Sequence, residues 1–302
     1  MGRSPDPDPT LATAETLAGG LARSAVHQRL PRTIGRYEVR GLLGQGGTAR
    51  VYRAYDPERR RQVAVKVLKE PLAADARIVA RFRREGETAA RLRHPGLVAL
   101  LDVGPDFLVL ELVPGESLAA RLAGRGPLSP GETLSVLDWA GSALDHVHGQ
   151  GVVHRDVKPS NVMVLREGGA KLADFGVARL AWARMTRSGE LIGSPAYMAP
   201  EHIVHGRVGP ASDIYALGLV AYEALTGHRA FPGERLAELM RSVAHTEPLP
   251  VRALQPDLPP AVDVVFARAL AKDPARRFHT AAEFVAGLRR AFVSGEAGSA
   301  RR

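Results

Sequence analysis

The sequence has 302 residues, 45% of them apolar and 24% charged, which is enough for a sizeable core in one large domain or two lobes. Its formal charge of +9 comes from scattered basic residues without interleaved aromatic residues, so nucleic-acid binding is not expected, and attraction to anionic nucleotides explains the charge as well. The absence of cysteine excludes disulfides, thiolate metal sites and thiol nucleophiles.

No stretch predicts a membrane span or a secretory signal. The longest apolar segment, IYALGLVAYEAL at 214–225, is short and contains Glu223, so it predicts a buried helix. The first residues lack an apolar core behind a basic head. We therefore expect a cytoplasmic protein, either complete or part of a longer protein with a membrane span and a sensor domain.

The first half of the chain predicts a tail and a small β-rich lobe. Residues 1–33 are rich in Pro, Ala, Asp and Gly without periodicity, which predicts a disordered or loosely structured tail. From Tyr37 onwards the apolar residues recur at every second position, which predicts strands, and Asp75–Leu92 has the helical period. The predicted strands are YEVRGLL (37–43), ARVYRAY (49–55), QVAVKVL (62–68), LVALLDV (97–103) and FLVLELV (107–113).

The second half is predicted to be mainly helical, with Gly and Pro residues between the periodic segments. We expect helices at about 117–123, 131–149, 211–226, 235–244, 260–271 and 280–292. Residues 174–201 have no periodic pattern, and loops of that length are usually functional. Residues 294–302 predict a flexible C-terminal tail.

A glycine-rich stretch, LLGQGGTARV at 42–51, lies between the first two strands. Gly44, Gly46 and Val51 fit the phosphate-binding pattern G-x-G-x-x-G-x-V, but Ala49 stands where the third glycine is expected. By itself this stretch is compatible with a phosphate-binding loop or with an ordinary hairpin.

Two polar segments follow apolar runs in the second half, GVVHRDVKPSNVMV at 151–164 and KLADFG at 171–176. An isolated His-Arg-Asp triplet is usually a surface cluster of salt bridges. Here the polar groups lie between apolar runs, where burial without partners is costly. We therefore expect Asp156 and Asn161 to point into one cleft, and Asp174, at the end of a strand, to be a metal ligand.

The order of these segments, with VAVK at 63–66, RFRRE at 81–85 and GSPAYMAPE at 193–201, resembles that of protein kinases over residues 37–293. The RFRRE and DPARRF segments resemble those of bacterial (Hanks-type) serine/threonine protein kinases. The resemblance implies an α+β, bilobal protein-kinase fold. A five-stranded antiparallel β lobe with one helix, at about 37–113, would lie across an ATP cleft from a larger α-helical lobe, at about 114–293.

The resemblance also assigns catalytic roles. Asp156 would accept or orient the proton of the substrate hydroxyl, and Lys158, two residues later, implies serine/threonine acceptors. Lys66, one of only five lysines in an arginine-rich chain, would bind the α and β phosphates. Glu85 would hold Lys66; Glu87 is the alternative, about 200° away around the helix.

The implied cofactors are ATP and Mg²⁺, with Mn²⁺ as an alternative metal. Asn161 and Asp174 would hold the metal through oxygen atoms. The residues implied to contact the nucleotide are Leu43, Gly44, Gly46, Val51, Ala64, Lys66, Leu110, Glu111, Val113 and Met163.

Other implied roles are structural and regulatory. Glu201 would pair with Arg277 inside the second lobe, and Asp213 would anchor the backbone of the catalytic loop. Thr186 and Ser188 stand where related bacterial kinases autophosphorylate, and phosphate there would be received by an arginine such as Arg155, beside Asp156.

The function implied is that of a non-specific serine/threonine protein kinase that acts on protein substrates and autophosphorylates, with homodimerisation as a route to autophosphorylation. Two alternatives remain at this point. A pseudokinase scaffold usually lacks Lys66, Asp156 or Asp174, and all three are present. A small-molecule phosphotransferase on the same fold does not account for GSPAYMAPE or Lys158.

Overall fold

A computed structural model describes residues 30–174, 195–233 and 235–299, with side chains described as far as residue 294. Within these residues a β-rich lobe precedes a helical lobe, as predicted. No helix in these ranges is long and apolar enough to cross a lipid bilayer.

The first lobe is one antiparallel sheet with a helix against it. The strand order is β1-β2-β3-β4-β6-β5. The strands are β1 (Thr33–Ile34), β2 (Tyr37–Gln45), β3 (Ala49–Asp56), β4 (Arg61–Leu68), β5 (Leu100–Val103) and β6 (Phe107–Glu111), and the helix is α1 (Ala76–Ala89). All five predicted strands are present. The sixth, β1, begins in the segment predicted as a tail, because two residues are too few to show an alternating pattern.

The two sides of this sheet are buried differently. On one side Tyr37, Val63 and Val109 form a small apolar core. On the other side Phe82 of α1 is fully buried against Leu108 and its neighbours. Gly86 permits this contact, since a Cβ atom at that position would lie 2.6 Å from Leu108 Cδ2. The glycine therefore brings α1 close to the sheet beside the cleft.

The second lobe is helical around a large apolar core. Its helices are α2 (Leu118–Arg125), α3 (Pro130–Gly149), α4 (Pro200–His205), α5 (Pro210–Thr226), α6 (Leu236–His245), α7 (Val251–Leu254), α8 (Ala261–Ala269) and α9 (Ala281–Ser299). The six predicted helices are present, and the short helices α4 and α7 were not predicted. Helix α3 begins with a capping box, in which Ser129 and Glu132 each bond the other's backbone N–H.

Helix α5 contains the apolar segment predicted to be a buried helix, and most of its residues are buried in the core of the second lobe. A three-stranded sheet lies at the top of this lobe, formed by β7 (Gly115–Ser117), β8 (Val162–Leu165) and β9 (Ala170–Leu172) in that order. The ends of β8 and β9 carry the polar segments singled out in the sequence, so the sheet positions them below the first lobe.

Candidate active site

A cleft of about 690 Å³ lies between the two lobes. It is lined from above by the β2–β3 turn and β4, from behind by the segment after β6, and from below by the loop before β8 and the end of β9. All ten residues predicted to contact a nucleotide line it, namely Leu43, Gly44, Gly46, Val51, Ala64, Lys66, Leu110, Glu111, Val113 and Met163.

The glycine-rich turn is held by backbone and side-chain bonds. The Gly46 N–H donates to Ala49 O at 2.9 Å, and Lys69 Nζ donates to Gly46 O. Ala49 is buried and lies opposite Leu68 of β4. The position where a third glycine was expected therefore belongs to the sheet, where a methyl group packs without strain.

Lys66 lies in the middle of β4 and is 5% exposed. Its ammonium is 2.7 Å from Asp174 Oδ1. Burial opposes ionisation of the Asp174 carboxyl, but the charge and hydrogen bond of Lys66, with help from Lys158, outweigh it and hold the pKa of Asp174 below its usual value. Asp174 is therefore ionised at neutral pH.

Glu85 is the residue predicted to hold Lys66. Its Oε1 atom lies 3.4 Å from Arg81 Nε, one helical turn earlier, while the ammonium of Lys66 meets Asp174 instead. Glu85 nevertheless faces inward, lining a small cavity with Lys66 and Asp174, whereas Glu87 is exposed. Glu85 rather than Glu87 therefore lies on the inward face of α1, and its pairing with Lys66 stays a prediction.

Asp156 lies on the floor of the cleft between two nitrogen donors. Lys158 Nζ is 2.8 Å from Asp156 Oδ2, and Asn161 Nδ2 donates to the same oxygen and to the Asp156 backbone O, each at 2.8 Å. Three predicted site residues are thus brought into direct contact. The donors fix the carboxylate in one orientation.

His154, which the sequence reasoning did not assign a role, supports this loop from inside. The Asp156 N–H donates to His154 Nδ1 at 3.3 Å, and Nε2, which then carries the proton, donates to Ala173 O at 3.1 Å. Burial lowers the pKa of His154, so its ring stays neutral, as this pattern requires. The position of His154 in the His-Arg-Asp triplet was the sequence signal that it belongs to the site.

Asp213, at the start of α5, binds the backbone just before Asp156. Its two carboxylate oxygens accept the N–H groups of His154 and Arg155, each at 2.8 Å. His148 Nε2 is 2.7 Å from the same carboxylate. The catalytic loop is therefore attached to the core helix α5.

Glu201 and Arg277 form a two-pronged ion pair inside the second lobe. Arg277 Nη1 and Nη2 donate to the two oxygens of Glu201 at 2.9 and 2.7 Å. The guanidinium also lies 4.7 Å from the centre of the Tyr215 ring. Tyr215 therefore covers the arginine with an aromatic face.

Two predicted residues lie outside the described residues, the candidate phosphorylation sites Thr186 and Ser188.

The donor set of the site fits a hard divalent cation. Asn161 uses its Nδ2 group for both bonds to Asp156, which leaves Oδ1 as an oxygen ligand, and the ionised Asp174 supplies a carboxylate. In the three described ranges no cluster of three or more His, Asp or Glu side chains forms a cage for a metal.

Comparisons with known proteins agree with this geometry. The sequence profile of the protein kinase domain matches residues 37–286. The serine/threonine-protein kinase PrkC of Bacillus subtilis is 36% identical over 266 residues, which are 86% of this chain and 41% of PrkC. PknA of Mycobacterium tuberculosis is 40% identical over 261 residues, 83% of this chain and 60% of PknA. The chain thus spans about two fifths to three fifths of these relatives.

Among solved structures, the crystal structure of the kinase domain of Mycobacterium tuberculosis PknI superposes with a TM-score of 0.69 at 32% identity, and the match covers 85% of this chain and 97% of that domain. Fold, cleft and sequence profile agree, and the chain belongs to the protein kinase family, with bacterial serine/threonine protein kinases as its relatives.

Proposed function

We propose that this chain transfers the γ-phosphoryl group of MgATP to serine and threonine hydroxyls of proteins. The observation that supports this most directly is the Asp156 carboxylate, held by Lys158 and Asn161 on the floor of a cleft whose opposite wall carries Lys66. Phosphoryl transfer needs mainly positioning and charge neutralisation, and this arrangement supplies both.

Each residue has a physical task in this reaction. Asp156 orients the acceptor hydroxyl and takes up its proton, because its carboxylate is held in place between two nitrogen donors. Lys158 Nζ, 2.8 Å from that carboxylate, neutralises charge on the group being transferred. Lys66 binds the α and β phosphates, since its ammonium is the cation of the β4 wall.

We propose that Asn161 Oδ1 and Asp174 hold Mg²⁺, which when bound neutralises the phosphate oxygens. Because Lys66 contacts Asp174 at 2.7 Å, binding of nucleotide requires Lys66 to exchange this carboxylate for phosphate. Glu85 lies beside the same cavity and is proposed as the partner that holds Lys66 once the exchange has occurred.

Regulation is proposed for the segment outside the described residues. Thr186 and Ser188 carry hydroxyls that autophosphorylation between two copies of the chain would modify. The reaction depends on MgATP, and we propose that it takes place in the cytoplasm on protein substrates. Phosphate mapping after incubation with ATP tests the two positions, and a map with phosphate at neither residue would contradict them.

The experiment that tests the proposed function follows labelled phosphate from ATP and Mg²⁺ to a generic basic protein. We expect transfer to serine and threonine by the natural chain. Asp156→Asn should lower turnover by about 10²-fold or more while nucleotide still raises the melting temperature, because it removes the proton acceptor and leaves the cleft. Asp138→Asn, at an exposed position on α3, is the matched control and should keep full activity.

Three results would separate the alternatives. Unchanged turnover in Asp156→Asn would remove Asp156 from its role. A nucleotide-dependent thermal shift without any phosphoryl transfer would indicate a pseudokinase that senses nucleotide. Transfer to small molecules but never to protein would indicate a small-molecule phosphotransferase.

A further inference from the structure

Lys171 is a lysine of this arginine-rich chain that the proposed chemistry does not use. Lys66 and Lys158 lie in the catalytic centre, but Lys171 lies on β9 and does not line the cleft. Its Nζ atom is 2.5 Å from Glu111 Oε1. Glu111 is the last residue of β6 in the first lobe, so this ion pair connects the two lobes directly.

The Glu111 carboxylate has a second partner on the same oxygen. Glu111 Oε1 accepts the N–H of Ala99 at 2.9 Å, while the Glu111 N–H donates to Ala99 O at the same distance. Backbone and side chain of Glu111 thus both bind the peptide before β5. Lys171 supplies the cation for a carboxylate that is already held in place, so little additional ordering is needed to form the pair.

On the other side, Lys171 belongs to the strand that carries Asp174. Leu172, the next residue, exchanges backbone bonds with the segment before β5, accepting from Val98 N and donating to Gly96 O, each at 2.8 Å. Ala173 then donates to Asn161 O at 2.8 Å. Only two residues lie between Lys171 and Asp174, and both of them form these backbone hydrogen bonds.

We propose that Glu111 and Lys171 form an interlobe ion pair that fixes the position of the adenine-binding segment, residues 111–113, relative to Asp174. Both side chains act as positioning residues. The pair is partly shielded, with side chains 29% and 21% exposed, so solvent screens it only in part. This inference rests on the proposed function, because it concerns the two ends of a bound MgATP.

The ion pair should affect affinity differently for ligands that contact one end of the cleft and for ligands that contact both ends. Adenosine binds only the adenine segment, so its affinity does not depend on where Asp174 lies. MgATP must satisfy both ends at once, and it gains affinity when their separation is set before binding. Loss of the ion pair should therefore lower the affinity for MgATP and leave the affinity for adenosine unchanged.

The test measures dissociation constants of adenosine and MgATP by calorimetry for the natural chain, Lys171→Met, Glu111→Gln and the double variant. Glu111→Gln leaves unchanged the backbone groups through which Glu111 would contact adenine, keeps an oxygen for the Ala99 N–H and removes only the charge. We expect each single variant to raise the dissociation constant of MgATP about fivefold and to change that of adenosine by less than about twofold. The double variant should be no weaker than either single variant, because all three lack the same ion pair.

Arg289→Met is the matched control, since it breaks an ion pair with Asp138 that lies wholly within the second lobe. It should change neither dissociation constant. Melting temperatures confirm that each variant is folded, and if Lys171→Met does not fold, Glu111→Gln decides the question by the same criterion.

Two patterns would overturn the inference. An equal loss of affinity for adenosine and MgATP would show that the ion pair merely supports the adenine-binding segment. Unchanged dissociation constants for both ligands would show that the pair has no positioning role. Failure of the natural chain to bind MgATP would instead overturn the proposed function, together with this inference, and is recognised before any variant is compared.

Discussion

Replacement of Arg277 by methionine tests how much the second lobe depends on one buried cation. The Arg277 side chain is fully buried and makes five hydrogen bonds. Two go to Glu201, and three go to the backbone carbonyls of Ala211, Ala271 and Lys272. Methionine retains much of the apolar volume but removes all five of these hydrogen bonds.

The expected loss is large because the partner is largely buried as well. The Glu201 side chain is only 13% exposed, and removal of one member of a buried ion pair typically costs about 3–5 kcal/mol. In a domain of this size such a loss lowers the melting temperature by roughly 10 °C. The Ser212 hydroxyl, which donates to Glu201 Oε1 at 2.7 Å, remains but carries no charge.

The loss should also depend on pH. Burial raises the pKa of Glu201, but the hydrogen bonds and charge of Arg277 outweigh it and hold this pKa below its usual value of 4.5. A lowered pKa stabilises the natural fold at pH values above 4.5, and this contribution disappears as the pH falls through the folded-state value. Without Arg277 the pKa of Glu201 should rise above 4.5. The variant should therefore lose stability at neutral pH, where Glu201 is ionised and unpaired, and regain part of it in acid, where Glu201 is protonated.

Urea unfolding followed by circular dichroism at about pH 7 and about pH 5 measures both effects. The free-energy difference between the natural chain and Arg277→Met should be smaller at the lower pH. Arg289→Met, which breaks an exposed pair with Asp138, should cost less than about 1 kcal/mol at either pH. The reasoning is refuted if the two variants lose similar stability, or if the loss in Arg277→Met is the same at both pH values.

Two further predictions concern a helix cap and the glycine-rich turn. Asp145→Ala should cost about 1–2 kcal/mol in the same unfolding assay, because the Asp145 carboxylate accepts the N–H groups of Ala281 and Ala282 at 2.8 Å and caps α9; an unchanged unfolding curve would contradict this role. Ala49→Gly should change the KM for ATP by less than about tenfold, since Ala49 lies in the sheet opposite Leu68, and a larger change in steady-state kinetics would show that its methyl group shapes the turn.

Much of the fold was predictable because its strands and helices are long enough to show their periods. The five longer strands of the first lobe alternate, and helices such as α3 and α5 are bounded by Pro and Gly residues that mark their ends. Strands β1 and β7, with two and three residues, are too short to carry a pattern. Their existence depends on partners elsewhere in the chain, namely β2 and β8.

The site was predictable to the level of which residues line the cleft, but not to the level of which charges meet. Lys66 has two inward carboxylates within reach, Glu85 and Asp174, and sequence spacing does not rank them. In the structure Glu85 contacts Arg81 one turn earlier on α1, while Asp174, at a φ of 64°, contacts Lys66. Such competition depends on side-chain positions in the folded chain, which no sequence pattern encodes.

The backbone at the floor of the cleft is strained at two residues. Arg155 and Asp174 have φ angles of 72° and 64°, values that cost a residue with a side chain about 1–3 kcal/mol and persist only where neighbours enforce them. Asp213 stabilises the Arg155 conformation by accepting the Arg155 N–H. Lys66 holds the side chain of Asp174 through their ion pair. The bonds of Asp213 therefore transmit the rigidity of α5 to Asp156, which lies one residue beyond Arg155. A triplet that looks like a surface cluster in the sequence is instead a strained turn, and its partners in the core keep the Asp156 carboxylate in the orientation that the proposed function uses.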